Sequence, residues 1–118
     1  MDKQIIKNII IEKQIAIPNY KLVHRDFLFG DKSNYILVGL RRAGKSYLLY
    51  QDIQTRLNKG EQSAQDILYI NFEDERLSSL KAEELGIILD SYMELYPGKQ
   101  PFVYLDEIQN IEGWEKFA

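Results

Sequence analysis

The segment Gly39-Leu40-Arg41-Arg42-Ala43-Gly44-Lys45-Ser46 has the spacing G-x-x-x-x-G-K-[ST], a pattern suited to holding a chain of phosphates. A loop of this kind wraps so that backbone N–H groups point at phosphate oxygens, and glycine lets the backbone come close. A helix starting directly after it adds the partial positive charge of its N-terminus. Lys45 brings a full positive charge to the outer phosphates, and Ser46 offers a hydroxyl oxygen to Mg²⁺. With Tyr47 in the first helical turn, Gly39 to Tyr47 is the candidate nucleotide-binding set.

About sixty residues further on, Phe102-Val103-Tyr104-Leu105 runs into Asp106-Glu107. An apolar strand ending in two acids has the form of a Walker B segment. In open α/β sheets ligands sit at the carboxyl ends of the strands, so Asp106 is expected at the same edge as the phosphate loop. Its expected role is to hold Mg²⁺ through water, because that ion keeps much of its hydration shell. Glu107 is expected to orient and polarise the attacking water. Lys45 and Glu107 are the candidate catalytic residues, and Ser46 and Asp106 the candidate metal ligands.

The surrounding pattern supplies the elements that must position these groups. Tyr35 to Val38 is a short apolar run, read as a strand buried on both faces. Lys45 to about Asn58 is an amphipathic helix with Leu49, Ile53 and Leu57 at spacing four, and Gly60 is its stop. Ile67 to Phe72 is a second buried strand. Leu85, Ile88, Leu89 and Tyr92 mark a further helix ended by Pro97 and Gly98. Phe102 to Leu105 is the third strand. Near the N-terminus Asp2 caps a helix from Lys3 that places Ile5, Ile6, Ile9 and Ile10 on one face, with a break at Pro18. Strand, helix, strand, helix, strand predicts an α/β fold: a mainly parallel sheet flanked by helices.

Composition sets the outer bounds. The chain has 118 residues, a formal net charge of −3 and no cysteine. That length is one domain at most. The charge gives no general attraction to nucleic acid. Without cysteine there is neither a disulfide framework nor a thiolate metal site. The isoleucines near the N-terminus are interrupted by Lys3, Lys7, Asn8, Glu12 and Lys13, which fits neither a signal peptide nor a membrane span. A soluble cytoplasmic protein is expected, with no membrane partner.

Three motifs in order carry a family resemblance. The phosphate loop, Tyr69-Ile70-Asn71-Phe72-Glu73-Asp74-Glu75-Arg76-Leu77, and Leu105-Asp106-Glu107-Ile108-Gln109-Asn110 followed by Trp114 resemble a prokaryotic group of AAA-superfamily P-loop ATPases. The resemblance runs from about Tyr35 to the last residue. It implies ATP binding and Mg²⁺-dependent hydrolysis on a RecA-like sheet. It also implies that residues 1–118 are the N-terminal portion of one P-loop ATPase domain, incomplete at the C-terminus. Residues 1–33 would be a helix and lead-in, and residues 34–118 the Walker A to Walker B core. A sensor strand would lie between the phosphate-loop strand and the Walker B strand. Without it, a slot one strand wide is expected, about 9.5 Å across rather than the usual 4.8 Å or so. Such a slot invites strand addition from another copy, closure of the gap or loss of order. Self-association is therefore expected as one outcome.

Other residues divide between function and structure. Arg41 and Arg42 either touch nucleotide or a neighbouring subunit, or are solvated cations. Glu73, Asp74 and Glu75 either face the nucleotide edge or form a charged turn, with Arg76 as their partner. Gln109 either monitors the γ-phosphate, contacts a partner, or is structural. Trp114 reads as packing, and His24 as structural or exposed. Three functional classes follow: an ATPase coupled to a task the sequence does not name, a nucleotide-gated switch or scaffold with little turnover, or a kinase or other phosphoryl transferase on the same loop, for which no acceptor-substrate lid is visible. Glu107 favours the first, because a pure binding module needs no water-activating carboxylate.

Overall fold

The computed structural model describes residues 2–20, 36–39, 45–60 and 62–117. Asp2 does cap the first helix: its side chain accepts from the Gln4 backbone N–H at 2.8 Å, starting α1 at Lys3–Ala16. Ile6, Ile9 and Ile10 are fully buried. Pro18 lies in a single 3₁₀ turn, Ile17–Asn19, that ends the helical run, because proline has no N–H to continue it.

Among the described residues three strands follow: β1 Ile36–Gly39, β2 Ile67–Asn71 and β3 Phe102–Asp106. Helix α2, Lys45–Asn58, lies between β1 and β2, and helix α3, Gly86–Leu95, between β2 and β3. Helix α2 is followed by Gly60 at φ +75°. The Gly60 N–H donates to the Leu57 carbonyl at 3.1 Å, a left-handed helix stop that glycine adopts without steric cost.

The sheet is parallel throughout, in the order β1-β3-β2. Alternate side chains of a strand point to opposite faces, and both faces here are covered. Leu68 and Ile70 of β2 join Ile6, Ile9 and Ile10 of α1 and Ile88 and Tyr92 of α3, with Val103 and Leu105 of β3 packed against them. On the other face Ile67, Tyr69, Phe102 and Tyr104 pack with Leu49 and Ile53 of α2 and with Ile17. This accounts for the apolar runs of β2 and β3: side chains on both faces pack against helices. The polar tip of Tyr104 is accommodated by donating to Asp52 of α2, which also pairs with Arg56 at 2.9 Å.

Closure of the gap is the outcome found for the slot beside β1: β1 pairs directly with β3, with Ile36 opposite Val103 and Gly39 opposite Asp106. Direct pairing satisfies backbone N–H and C=O groups that a slot would leave bare on both strands. Leu89, grouped with the buried face of the third helix, is 44% exposed. It stands roughly 100° round the helix from Ile88, whereas the face turned inward is that of Ile88, Ser91 and Tyr92.

Candidate functional site

The register brings three strand ends flush. Gly39 of β1 and Asn71 of β2 both lie opposite Asp106 of β3. The Phe72 N–H then donates to the Asp106 carbonyl at 2.9 Å. The first residue of the predicted phosphate loop and the first predicted acid are thus neighbours at the carboxyl edge of the sheet. Period-two alternation puts Asp106 on the same face as Phe102 and Tyr104, the face covered by α2. Lys45, Ser46 and Tyr47 form the first turn of α2. Leu40, Arg41, Arg42, Ala43 and Gly44 lie outside the described residues.

Asp106 is fully buried. Its Oδ2 accepts a hydrogen bond from the Tyr69 hydroxyl at 2.5 Å. Tyr69 is on β2, and its own hydroxyl is 3.3 Å from that of Tyr50. Burial first, and then the hydrogen bond to Asp106, push the Tyr69 hydroxyl far above its ordinary range. It remains a protonated donor at any working pH. The ring of Tyr50 lies tilted against Tyr69 at 5.3 Å and edge-on to Tyr20 at 4.9 Å between centroids. Burial also raises the Tyr50 hydroxyl. Lys13 of α1 lies 5.8 Å from the Tyr69 ring centroid. This tyrosine ladder connects the end of the N-terminal helical segment to the acidic strand end.

Glu107 leaves the strand at φ 58°, ψ 34°, and among the described residues it is the only non-glycine with positive φ. That left-handed turn ends the ladder and starts the 3₁₀ turn Ile108–Asn110, closed by the Asn110 N–H donating to the Glu107 carbonyl at 3.1 Å. The Glu107 side chain is 6% exposed and accepts from Gln109 Nε2 at 2.7 Å on Oε2. A non-glycine residue held in this region costs on the order of 1 kcal/mol or more, and such residues cluster at functional sites.

The remaining predicted positions separate. Asp74 caps the 3₁₀ turn Glu75–Leu77 and pairs with Arg76, which also binds Glu12 of α1 at 2.8 Å. These groups tie α1 to the loop after β2, which is the structural alternative for them. Glu73 and Glu75 are exposed. Trp114 packs against the first core cluster. His24 lies outside the described residues, as do residues 21–25 of the predicted lead-in. In the sequence Tyr69 stands inside a motif with no role marked for it. A tyrosine inside a buried strand was the available signal, since its hydroxyl requires a partner.

Among the described residues no group of three or more His, Cys, Asp or Glu side chains could hold a metal ion. Mg²⁺ fits a buried strand-end carboxylate without such a cage, because it binds through one or two protein oxygens, phosphate oxygens and its own waters. No described helix is long and apolar enough to cross a membrane.

These features define an α/β domain with a buried acid, followed by a strained glutamate, at the edge of a parallel sheet. Residues 31–118 match the family model described as an AAA domain, and the chain belongs to that family. It is 33% identical over 121 aligned residues to an uncharacterised protein of Methanocaldococcus jannaschii, covering 100% of this chain and 26% of that one. It is 36% identical over 86 residues to an uncharacterised protein of Haemophilus influenzae, covering 70% of this chain and 20% of that one. The chain thus spans about a quarter or less of the length of these relatives. No solved structure matches.

Proposed function

We propose that this domain binds ATP with Mg²⁺ and hydrolyses it, on a P-loop fold of the RecA-like AAA type. The observation that carries the reading is the register of Gly39 against Asp106, with Asp106 on the sheet face covered by α2. The end of the strand that leads into the phosphate loop and the Walker B acid then share one edge. Backbone N–H groups of residues 39–47 cradle the phosphates, and Lys45 neutralises charge on the outer ones. Ser46 and Asp106 would hold Mg²⁺, which when bound draws charge from the β- and γ-phosphate oxygens. Glu107 accepts a proton from a water as its oxygen bonds the γ-phosphorus. The bond from that phosphorus to the β–γ bridging oxygen breaks, and its electrons leave with ADP.

Among the described strands β1 and β2 are the outer ones, and pairing along such an edge is a route to self-association. Glu107→Gln in the full-length chain tests hydrolysis against a nucleotide-gated switch. Retained ATP binding with phosphate release reduced to a small residual rate supports hydrolysis at this site. Release at the wild-type rate removes Glu107 from the mechanism. A wild-type chain that binds ATP without releasing phosphate is a switch.

A further inference from the structure

Gln109 has no role in the scheme above, yet its amide is engaged with the proposed base. Its Nε2 donates to Glu107 Oε2 at 2.7 Å. With its nitrogen turned to Glu107, the amide must turn its oxygen away. That oxygen is buried and has no hydrogen-bond partner among the described residues. Leaving a buried acceptor unsatisfied is unfavourable, and a native protein that retains one at a candidate site calls for a reason. A glutamine serving packing alone gains nothing from this arrangement, and an apolar side chain would avoid it.

The mount of Gln109 is rigid. The turn Ile108–Asn110 is anchored on both sides, because Ile108 and Ile111 are buried in the first core cluster. Its first carbonyl-to-amide link begins at Glu107 itself. The backbone of Glu107 is therefore fixed in the left-handed region by the turn, and its side chain is fixed by the residue two positions on.

We propose that Gln109 is the positioning residue for Glu107: its amide holds Oε2 and so sets the direction in which Oε1 meets the attacking water. This inference rests on the hydrolytic reading of Glu107. Gln109 does not touch nucleotide in this role. Its effect passes through the carboxylate, which distinguishes it from a sensor of the γ-phosphate. A flexible glutamate samples many orientations, whereas a tethered one presents the acceptor where the water stands.

The test uses the full-length chain. Gln109→Met keeps the length of the side chain and removes the donor. The expected result is a fall in kcat of tenfold or more, with KM changed by less than twofold and the melting temperature close to wild type. In a Glu107→Gln background the same substitution is expected to change the residual rate by less than twofold, because the group it acts through is already gone. Equal losses in both backgrounds, or a KM that rises as kcat falls, would overturn the proposal in favour of direct nucleotide contact. If Gln109→Met does not fold, the side-chain amide resonances of Gln109 in the ¹⁵N spectrum of the wild type decide. They are expected to move when Glu107 is replaced by Gln, and unmoved resonances overturn the proposal. A wild type with no phosphate release removes the hydrolytic reading and this inference together. Normal release in wild type and in Gln109→Met removes the inference alone.

Discussion

The hydroxyl of Tyr69 on β2 donates to Oδ2 of Asp106 on β3 at 2.5 Å, inside the sheet face covered by α2. The two residues are two register positions apart, since Tyr69 lies opposite Tyr104 and Asn71 opposite Asp106. The long ring bridges that offset. Tyr69→Phe removes only the oxygen and leaves a buried carboxylate oxygen without this donor. A stability loss of about 1–3 kcal/mol is expected from chemical denaturation. Asp106 would also be less well fixed, so ATP affinity is expected to fall severalfold in Mg²⁺ and to be unchanged in EDTA. Equal affinity for both proteins in Mg²⁺ would separate Tyr69 from the metal site.

Lys45→Ala removes a full charge from the first turn of α2 while leaving an excellent helix former in its place. Calorimetric ATP affinity is expected to fall tenfold or more, on the order of 1.4 kcal/mol. The melting temperature without nucleotide is expected to be near that of wild type. Unchanged affinity would place the nucleotide elsewhere.

The sequence made the elements legible because each carries its own local signal. Asp2 before an isoleucine stripe, Gly60 after a spacing-four leucine pattern, and three unbroken apolar runs each specify a local conformation. The face of Asp106 follows from period-two alternation once β3 is recognised. Strand order was not legible: which parallel strands become neighbours depends on pairing between distant segments, and closure between β1 and β3 was one of several arrangements left open. The Tyr69–Asp106 and Gln109–Glu107 hydrogen bonds were hidden for related reasons. One needs the sheet order, and the other needs the left-handed turn at Glu107, which no glycine announces.

Gln14 tests a polar group that local pattern reading treats as neutral. It is buried on α1. Its Nε2 donates to the Ile67 carbonyl at 2.8 Å, and its Oε1 accepts from the Tyr96 hydroxyl at 2.7 Å. One side chain therefore ties α1 to the start of β2 and to the end of α3. Gln14→Leu adds apolar surface but strips the partners of both bonds. The expected outcome is destabilisation by about 1–3 kcal/mol, read from the urea midpoint at unchanged slope. A more stable variant would show that apolar burial outweighs the two lost bonds.

The contact between α1 and α3 is expected to weaken in acid. Glu94 of α3 accepts from Lys3 at 2.6 Å on Oε2 and from Lys7 at 2.8 Å on Oε1. Those two ammonium groups lower the Glu94 carboxyl from an ordinary 4.5 to about 2. The folded state therefore holds the proton less tightly than the unfolded chain. This contribution is fully present above pH 4.5 and is lost as pH falls from there towards about 2. Glu12 and Asp74 are lowered in the same direction by Arg76, so Glu94→Gln flattens the acid limb without abolishing it. All these groups are solvent-accessible, so the effect is small and shrinks with added salt. Melting temperatures of wild type and Glu94→Gln, taken across that pH range at low and high salt, provide the measurement. The two curves are expected to converge as pH falls and to lie closer together throughout at high salt. A constant gap at every pH would show that Glu94 acts through packing and not through its charge.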